Sequence, residues 1–578
     1  MERGQEASDR TISPQDQIKP EAGVNQGSPV SRWAFLAWAG LIVAAALVLR
    51  LYRIGAQELW LDEAFSWYMA TTPKLLRALS IENTPPLYYL LLRAWVRVAG
   101  ESEAALRLLS AVAGTLFVAA VLWAGRELFD TRVALWSGGA AALAPLHIYY
   151  SQEARAYAWL VLLLLLTHVL LWRALRQNTW PCWALVTASA LLALYTHYFA
   201  ILGLLPGAFL LWVWPGKARW RRYGAAMLGS GLGFLPWVVW SFGLTPRSSA
   251  GFDWIRRVWE ATPPLLAVPR SLEVFGLGPQ AGLRLIFLKQ FTTLEFPLGL
   301  RLLGLLVLGL LGLWVAVPWG DQQVGVPDLG KRKAWLGLLL FLPLGTLWLG
   351  SFYKPLYAAG RYDLVAFPAY PLLLGLALRK AQRVKRVGPV VAPIVALLLL
   401  LPIGSKLFWY YQAPPVDLGL DASANLGLDA PATAQVLHAG VADGDVVVFT
   451  GLRGLPVLYY LSRLGDRWVA GECREEGTGR RFGCRMYPRE VERLPGVFDP
   501  GWLRMSADAA RVDVQDFMRM LRTQNGSLWV VFGLGKFLRG RFELPTVDFL
   551  LVQELRRLGM KELPIQGAPR ILHFGRTR

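Results

Sequence analysis

Two adjacent carboxylates stand in an apolar, aromatic segment of the sequence, where an acid is unexpected unless it is paired or used. The segment is Glu58-Leu-Trp-Leu-Asp-Glu-Ala-Phe-Ser-Trp67, and the two acids are Asp62 and Glu63. Carboxylates at an apolar boundary are costly to bury without a partner. The pair therefore indicates acid–base chemistry, or else simply the start of a helix with Asp62 as its cap and Glu63 in its first turn.

A second segment, His147-Ile-Tyr-Tyr-Ser-Gln-Glu-Ala-Arg-Ala-Tyr157, combines an acid, a base and several aromatics. If the segment is helical, Glu153 and Tyr157 are four residues apart and share a face. Glu153 and Arg155 then form a simple ion pair, or they serve a substrate that carries an anionic group.

A third segment, Ser351-Phe-Tyr-Lys-Pro-Leu-Tyr-Ala-Ala-Gly-Arg-Tyr-Asp363, holds Lys354 and Arg361. A guanidinium group binds phosphate through two parallel hydrogen bonds, so a phosphate is one expected partner, and anionic lipid headgroups are the other. His197, in Tyr195-Thr-His-Tyr-Phe199, is a weaker candidate, because a single histidine at a helix end is more often structural.

Together these groups suit the transfer of a sugar from a lipid-linked phosphate. Such a donor has an anionic leaving group, so the reaction needs a carboxylate base for the acceptor hydroxyl and cations for the departing phosphate. Aromatic side chains would line the sugar, and the candidates are Tyr157, Tyr362, His197 and Tyr88, the last in Asn83-Thr-Pro-Pro-Leu-Tyr-Tyr89. The acids also leave open a divalent cation held by oxygen ligands from Asp62, Glu63 and Glu153. The sequence indicates no other cofactor.

The elements that must position these residues are apolar. Hydrophobic residues make up 54% of the 578 residues and charged residues only 17%, whereas a soluble domain has about 25% charged residues. A bilayer span needs roughly 17–25 mostly apolar residues. The apolar runs predict eleven spans, near 33–50, 104–124, 133–150, 157–173, 182–197, 199–215, 223–243, 297–317, 334–350, 364–379 and 388–406. Alternatively, residues 182–215 form one broken span, which would reverse the membrane orientation of every later span.

Charge predicts the orientation of these spans. Short connections rich in Lys and Arg stay in the cytoplasm, and five of them fit, at 125–132, 173–181, 216–222, 318–333 and 380–387, with Arg379 at the edge of the last. They alternate correctly with eleven spans, which predicts a multi-pass protein of the plasma (inner) membrane with its N-terminus in the cytoplasm. The net charge of +20 is then mostly a topology signal. The basic residues are scattered over short loops, which excludes a nucleic-acid partner.

The sequence predicts three regions. Residues 1–31 form a disordered cytoplasmic tail, residues 32–406 a membrane domain with its first external loop at 51–103, and residues 412–578 an extracytoplasmic α/β domain. Four β-rich runs alternate with helical patterns in the last region and predict a mostly parallel sheet; they lie at 445–450, 467–470, 527–533 and 570–575, with a helix-like stretch at Pro545 to Leu558. Cys473 and Cys484 form a disulfide there or remain free thiols.

The motifs and their order resemble the bacterial members of the protein-mannosyltransferase and aminoarabinose-transferase superfamily, which are glycosyltransferase family 39-like enzymes of the GT-C fold. The resemblance rests on Leu-Trp-Leu-Asp-Glu, Thr-Pro-Pro-Leu-Tyr-Tyr, Tyr-Ser-Gln-Glu-Ala-Arg-Ala-Tyr and the late Gly-Arg-Tyr followed by Pro368. It covers about residues 33–406, and the region from Pro431 onward looks like the external domain that many members carry.

The resemblance implies an inverting transfer of a hexosyl or pentosyl group from a polyprenyl-phosphate sugar to a lipid, glycan or protein acceptor at the external membrane surface. It implies catalytic acids at Asp62 (the base), Glu63 and Glu153, although some relatives have Asp where this chain has Glu153. It places the donor phosphate at Arg361, Arg155 and Lys354.

Two other functions fit a membrane bundle with an outer domain. A transporter or flippase for lipid-linked sugars would carry charges near the bilayer midplane, whereas the charges here cluster at the ends of the spans. A non-catalytic anchor that presents residues 412–578 to a partner would leave the first-loop carboxylates dispensable.

Overall fold

The computed structural model describes most of the apolar region and parts of the C-terminal region. In the first it covers 31–73, 75–81, 84–243, 255–256, 259–260, 262–278, 298–318, 321–324, 326–384 and 388–412. In the second it covers 430–442, 445–450, 454–469, 472–475, 481–487, 527–531, 536–538, 541–543, 552–553, 555–557, 559–563 and 571–575. The predicted tail at 1–31 lies outside the described residues except for Ser31, whose hydroxyl caps the first helix.

Apolar helices form the body of the protein. In chain order they are α1 (Arg32–Leu51), α2 (Leu61–Thr71), α3 (Leu75–Ile81), α4 (Leu87–Ala99), α5 (Glu103–Leu128), α6 (Thr131–Leu143), α7 (Pro145–Ser151), α8 (Tyr157–Gln177), α9 (Trp180–Thr196), α10 (Ala200–Leu204), α11 (Leu210–Val213), α12 (Lys217–Val238), α13 (Pro264–Leu277), α14 (Leu298–Ala316), α15 (Asp321–Val324), α16 (Leu329–Tyr353), α17 (Ala369–Gln382) and α18 (Gly388–Gln412). Short 3₁₀ segments at Leu205–Phe209 and Tyr362–Ala366 link some of them.

Helices occur at all eleven positions where spans are predicted. Six described helices are long and apolar enough to cross a membrane, namely α1, α5, α8, the stretch Lys217–Phe242, α16 and α18. Three shorter apolar helices lie at Trp180–Thr196, Ala200–Val213 and Leu302–Ala316. The helix α13 was not predicted from the sequence, and it packs between α7, α16 and α14.

Residues 182–215 form two passes and not one broken span. The chain leaves α9 at His197 and turns back, so that α10 and α11 run alongside α8. The carbonyl oxygen of Gly203 lies 2.8 Å from the His168 ring, and Trp214 packs edge-on against Trp172 near the far end of α8, with the ring centroids 4.1 Å apart. The alternative of a single span is therefore wrong.

The predicted basic connections meet at one end of the bundle, called here the basic end. Arg219 donates to the carbonyl oxygen of Leu175 at 2.8 Å, which joins connection 216–222 to connection 173–181. Three ion pairs join the others: Arg176–Glu127 at 2.9 Å, Arg379–Asp130 at 2.8 Å and Lys380–Asp321 at 2.9 Å. Residues 51–103 lie at the opposite end, called here the loop end.

The C-terminal region packs on the loop end. Its helices are α19 (Ala430–Gly440) and α20 (Gly454–Arg463), and α20 lies against α2. The Tyr460 hydroxyl accepts a hydrogen bond from the backbone N–H of Leu59 at 3.0 Å, and the Tyr459 hydroxyl donates to the carbonyl oxygen of Glu101 at 2.8 Å. Apolar side chains of both regions form one buried cluster.

A mixed sheet forms the rest of the C-terminal region. Its strands are β1 (Val446–Thr450), β2 (Asp466–Val469), β3 (Glu472–Glu475), β4 (Arg481–Tyr487), β5 (Leu528–Val531), β8 (Lys561–Leu563) and β9 (Ile571–Gly575), in the order β2-β3-β4-β1-β5-β9-β8; β6 (Lys536–Leu538) and β7 (Arg541–Glu543) form a separate pair. Among the strands that the structure describes, only β1 with β4 and β1 with β5 are parallel.

The prediction of a mostly parallel sheet is therefore wrong, although all four predicted strands are present. Parallel strands need apolar residues on both faces, and β1 and β5 have them. The strands β3, β4 and β8 were missed, and β3 and β8 are short and polar. Cys473 and Cys484 lie on the neighbouring strands β3 and β4, but their side chains fall outside the described part, as does most of the predicted helix at 545–558.

Candidate active site

Asp62 and Glu63 both lie in the first turn of α2, which begins at Leu61. Trp60 occupies the position before the helix and makes no side-chain capping bond, so Asp62 is not the cap. The two carboxylates have different environments. The Glu63 side chain is 1% exposed and that of Asp62 is 23% exposed.

Glu63 is held in a closed clamp. Arg107 of α5 donates from Nε to Oε1 and from Nη2 to Oε2, both at 2.7 Å. The backbone N–H of Ala154 also donates to Oε1, at 2.9 Å. Arg107 uses its other N–H groups on carbonyl oxygens of residues 54, 57 and 58, the turn that leads into α2. Glu63 therefore joins α2, α5 and the loop after α7, and its oxygens face their partners.

Asp62 is partly exposed and meets cations from two distant segments. Its Oδ2 lies 2.5 Å from Nη2 of Arg361 and 3.9 Å from Nη2 of Arg155. Arg361 precedes the 3₁₀ segment Tyr362–Ala366, and Arg155 precedes α8. The structure thus brings together one residue from each of the three segments that were singled out in the sequence.

Aromatic side chains surround Arg361. Its Nε donates to the hydroxyl of Tyr157 at 2.8 Å. The guanidinium carbon lies 5.8 Å from the ring centre of Tyr157, 5.9 Å from that of Trp60 and 6.0 Å from that of Tyr362. These distances are within the range of cation–π attraction. The rings therefore help to hold the guanidinium beside Asp62.

A tight turn places Arg361. Gly360 has a φ of 78°, in the left-handed region that favours glycine, and a Cβ there would lie 2.8 Å from Val274 of α13. The Gly360 N–H donates to Asp363 at 2.9 Å, and its carbonyl oxygen accepts from the Tyr150 hydroxyl at 2.5 Å. The backbone before Arg361 is thus fixed from both sides.

Glu153 lies in a non-helical turn at 152–156, between α7 and α8. The helical spacing from Glu153 to Tyr157 is therefore absent. Arg155, the predicted ion-pair partner of Glu153, has its Nη2 3.9 Å from Oδ2 of Asp62. Glu153 is 4% exposed, and its Oε2 has no hydrogen-bond partner among the described residues. Burial, followed by the nearby charge of Glu63, raises the pKa of Glu153 well above its usual range, against the opposing effects of Arg361 and Arg155.

The two tyrosines of α4 have different positions. Tyr88, the predicted sugar-lining residue, is 1% exposed and its hydroxyl lies 3.3 Å from that of Ser110, so it packs behind the site. Its neighbour Tyr89 accepts a hydrogen bond from Nη1 of Arg155 at 3.1 Å. Tyr89 belongs to the same motif as Tyr88, but the sequence gave no reason to prefer Tyr89 as the residue near the site.

His197 and Lys354 differ in their distance from the site. The His197 ring lies near Tyr157 and Tyr362, with centroids 6.0 and 5.7 Å away, and its Nε2 has no partner among the described residues. Lys354 follows α16 directly, is exposed, and is not one of the partners of Asp62.

The acids do not fit a shared metal ion. Glu63 directs both oxygens to Arg107, and Asp62 faces two guanidinium groups, so the three carboxylates do not form one ligand set. In the part of the chain that is described, no three His, Cys, Asp or Glu side chains are grouped as a metal site would need.

Sequence reasoning missed Arg107. It lies near the start of the predicted span at 104–124, where a charged residue only lowers the hydropathy of the span. Its partner Glu63 is 44 residues away, so no local sequence pattern connects the two. The position of Arg107 at the loop end, away from the basic connections, was the available signal.

The comparisons agree with this architecture. Residues 83–241 match the family model described as dolichyl-phosphate-mannose-protein mannosyltransferase, a stretch that includes Glu153, Arg155 and His197 but neither Asp62 nor Arg361. The structure resembles ArnT from Cupriavidus metallidurans bound to undecaprenyl phosphate, with a TM-score of 0.57, 14% identity, and coverage of 93% of this chain and 98% of that one. The apo form of the same protein gives 0.56, 14%, 94% and 98%.

A third structure is more distant. The apo oligosaccharyltransferase from Archaeoglobus fulgidus has a TM-score of 0.45 and 12% identity, and covers 72% of this chain and 62% of that one. A search of the curated proteins finds no sequence match.

The fold and the bundle define a multi-pass membrane protein of the GT-C type. The more particular resemblance predicted from the sequence, to the protein-mannosyltransferase and aminoarabinose-transferase superfamily, is confirmed by the family model over 83–241 and by the ArnT-like fold.

Proposed function

We propose that the protein is a glycosyltransferase that moves a sugar from a polyprenyl-phosphate donor to an acceptor hydroxyl, with inversion, using Asp62 as base. One observation carries the proposal: the partly exposed Asp62 lies beside Arg361 and Arg155, which converge from separate segments. The raised pKa of Glu153 favours its neutral form. Arg361 and Arg155 then provide donors for a phosphate group beside Asp62.

The reaction follows from these positions. Asp62 accepts the proton of the acceptor hydroxyl, whose oxygen forms a bond to the anomeric carbon. The bond from that carbon to the phosphate oxygen breaks, and its electron pair leaves with the polyprenyl phosphate. Arg361 and Arg155 stabilise the charge on the departing phosphate, since guanidinium groups fixed in advance act where the charge grows.

Glu63 is less suited to act as base. Both oxygens accept charge-assisted hydrogen bonds in a site that is 1% exposed, so taking a proton would break the clamp. Glu153 has a buried oxygen that lacks a partner within the described part of the chain, which suits a hydrogen bond to a sugar or acceptor hydroxyl. Tyr157, Tyr362 and His197 provide the aromatic wall for the sugar ring.

The loop end would face the outside of the cell membrane. The basic connections gather at the other end, and such connections stay in the cytoplasm. In this orientation residues 32–406 form the catalytic domain, and 412–578 form an extracytoplasmic domain whose α20 packs beside the site. The likeness to ArnT bound to undecaprenyl phosphate supports the choice of lipid.

The test is sugar transfer by the purified protein in detergent, with radiolabelled polyprenyl-phosphate pentoses and hexoses and with lipid, glycan and peptide acceptors. The test variant is Asp62→Asn. The control is Glu127→Gln, at the basic end. Its side chain is 22% exposed, against 23% for Asp62, and it too pairs with an arginine.

We expect wild type and the control to transfer label, and Asp62→Asn to be slower by about 10²–10⁴-fold. If Asp62→Asn transfers as fast as the control, the base is another group, with Glu153 the first to examine. Binding of the donor without transfer, accompanied by movement of the labelled lipid across vesicles, would instead favour a transporter of lipid-linked sugars.

A further inference from the structure

Arg50 is a buried cation near the end of α1 at the loop end of the bundle. It is 0% exposed, and none of its partners in the described structure is a carboxylate. Its Nη1 donates to the carbonyl oxygens of Ala46 and Ala142 at 3.0 and 3.3 Å, and its Nη2 donates to that of Ala141 at 3.2 Å. A buried charge without a counter-ion is costly, so this arrangement calls for an explanation.

The break between α6 and α7 explains the carbonyl groups. In a continuous helix the carbonyl oxygen of Ala141 would accept from the N–H of residue 145, but residue 145 is proline and has no N–H. The last carbonyl groups of α6 therefore lack partners inside the helix, and they carry the negative end of its dipole. The guanidinium of Arg50 satisfies them and cancels that partial charge.

The same guanidinium also holds α7. Its Nε donates to Oγ of Ser151 at 3.2 Å, and Nη2 lies 2.8 Å from Nδ1 of His147. Arginine can only donate, so Nδ1 is the acceptor and His147 carries its proton on Nε2. Gly114 of α5 makes this approach possible, because a Cβ there would lie 2.0 Å from Ser151 Oγ and 3.0 Å from Arg50 Nε.

Ser151 is the last residue of α7, and the turn that carries Glu153 and Arg155 starts at the next one. That residue, Gln152, continues the connection to α1, since its Nε2 donates to the carbonyl oxygens of Arg50 and Tyr52 at 3.1 and 2.8 Å. The turn is thus fixed at its start by α1 and at Ala154 by Glu63.

We propose that Arg50 is a positioning residue for Arg155. By capping the broken end of α6 and holding Ser151, it fixes the origin of the turn 152–156 and so the distance between the Arg155 guanidinium and Asp62. This role rests on the proposed function, in which Arg155 contacts the donor phosphate.

Kinetics separate positioning from general destabilisation. A loosened turn weakens the contact of Arg155 with the bound donor, which raises KM for the donor, whereas partial unfolding lowers the amount of active protein and therefore the apparent kcat. The variants are Arg50→Lys, which keeps the charge but cannot reach all five acceptors, and Ser151→Ala, which removes one acceptor. The control is Ser137→Ala, a buried serine of α6 whose Oγ has no partner among the described residues.

We expect KM for the donor to rise about tenfold in Arg50→Lys and about threefold in Ser151→Ala, with kcat changed less than about threefold. Ser137→Ala should match wild type. A fall in kcat at unchanged KM, or equal effects in Ser151→Ala and Ser137→Ala, would overturn the proposal.

Hydrogen exchange gives a second readout that needs no turnover. The amides of 152–156 should exchange faster in Arg50→Lys than in Ser137→Ala, while those of α2 beyond its first turn remain as in wild type. Equal exchange in the turn would overturn the role of Arg50 even if the enzyme is active. An inactive wild type with faster exchange in Arg50→Lys would instead refute the proposed function and leave the positioning of the turn intact.

Discussion

Replacing Glu63 by glutamine tests whether the two adjacent carboxylates have different roles. We expect Glu63 to control the stability of the protein and Asp62 to control sugar transfer. The amide oxygen of glutamine can still accept the hydrogen bonds made to Oε1, but its NH2 group would face the Nη2 N–H of Arg107 that now donates to Oε2. The Arg107 side chain is 4% exposed, so its charge stays buried without a counter-ion. Removing one partner of a buried ion pair costs about 3–5 kcal/mol, and we expect the thermal midpoint to fall by about 3–10 °C.

Asp62→Asn should behave in the opposite way. Asp62 and its partner Arg361 are 23% and 12% exposed, and partly exposed pairs contribute about 1 kcal/mol or less. The midpoint should therefore change by no more than about 3 °C, while transfer is lost. Tryptophan fluorescence during heating in detergent is a suitable measurement, because the chain has 26 tryptophans.

The double variant Glu63→Leu/Arg107→Met is the control for the clamp. It removes both charges together, so no buried charge is left without its partner. The double variant should therefore be more stable than either single variant. A midpoint for Glu63→Gln within 1 °C of wild type would refute the clamp. Loss of transfer in Glu63→Gln at a normal midpoint would assign the base to Glu63 and not to Asp62.

Two further predictions concern the cations and the neutral acid. Arg361→Lys should raise KM for the donor by about 10–100-fold, because lysine cannot keep the bonds to both Tyr157 and Asp62. Lys354→Met should raise KM less in the same transfer assay. A larger effect of Lys354→Met would refute this assignment of the phosphate contact. Glu153→Gln should raise the thermal midpoint near neutral pH. The raised pKa means that the folded protein binds this proton more tightly than the unfolded chain does. The stability of wild type therefore falls as pH rises from about 4.3 through the raised pKa. The midpoints of wild type and Glu153→Gln, measured from pH 4.5 to 8, should converge towards the acid end. A constant difference over that range would contradict the neutral state of Glu153.

Much of the bundle could be predicted because its signal is local. A long apolar run must become a helix wherever it crosses lipid, and each of the eleven runs is helical. The convergence of Asp62, Arg155 and Arg361 was anticipated through the family resemblance and through their common location in loops at one end. Local sequence alone did not supply the distances among them.

The rest depends on contacts between distant parts of the chain. Arg50 and Arg107 lie at the ends of apolar runs, where hydropathy registers only their cost and cannot identify partners 101 and 44 residues away. Glu153 was assigned a helical spacing because the apolar pattern continues on both sides of the turn 152–156. Strand direction was wrong because β3 and β8 have too few apolar residues to mark them as strands.

The contact between α20 and the first loop has a consequence for biosynthesis. Leu59 and Tyr460, which share a hydrogen bond, are 401 residues apart, so at about 5–20 residues per second the ribosome needs about 20–80 s to deliver the second after the first. During this interval α2 has no cover from α20, and its apolar face is available to chaperones and proteases. A polypeptide whose synthesis stops early never gains that cover, so the contact distinguishes finished chains from unfinished ones before any donor is bound.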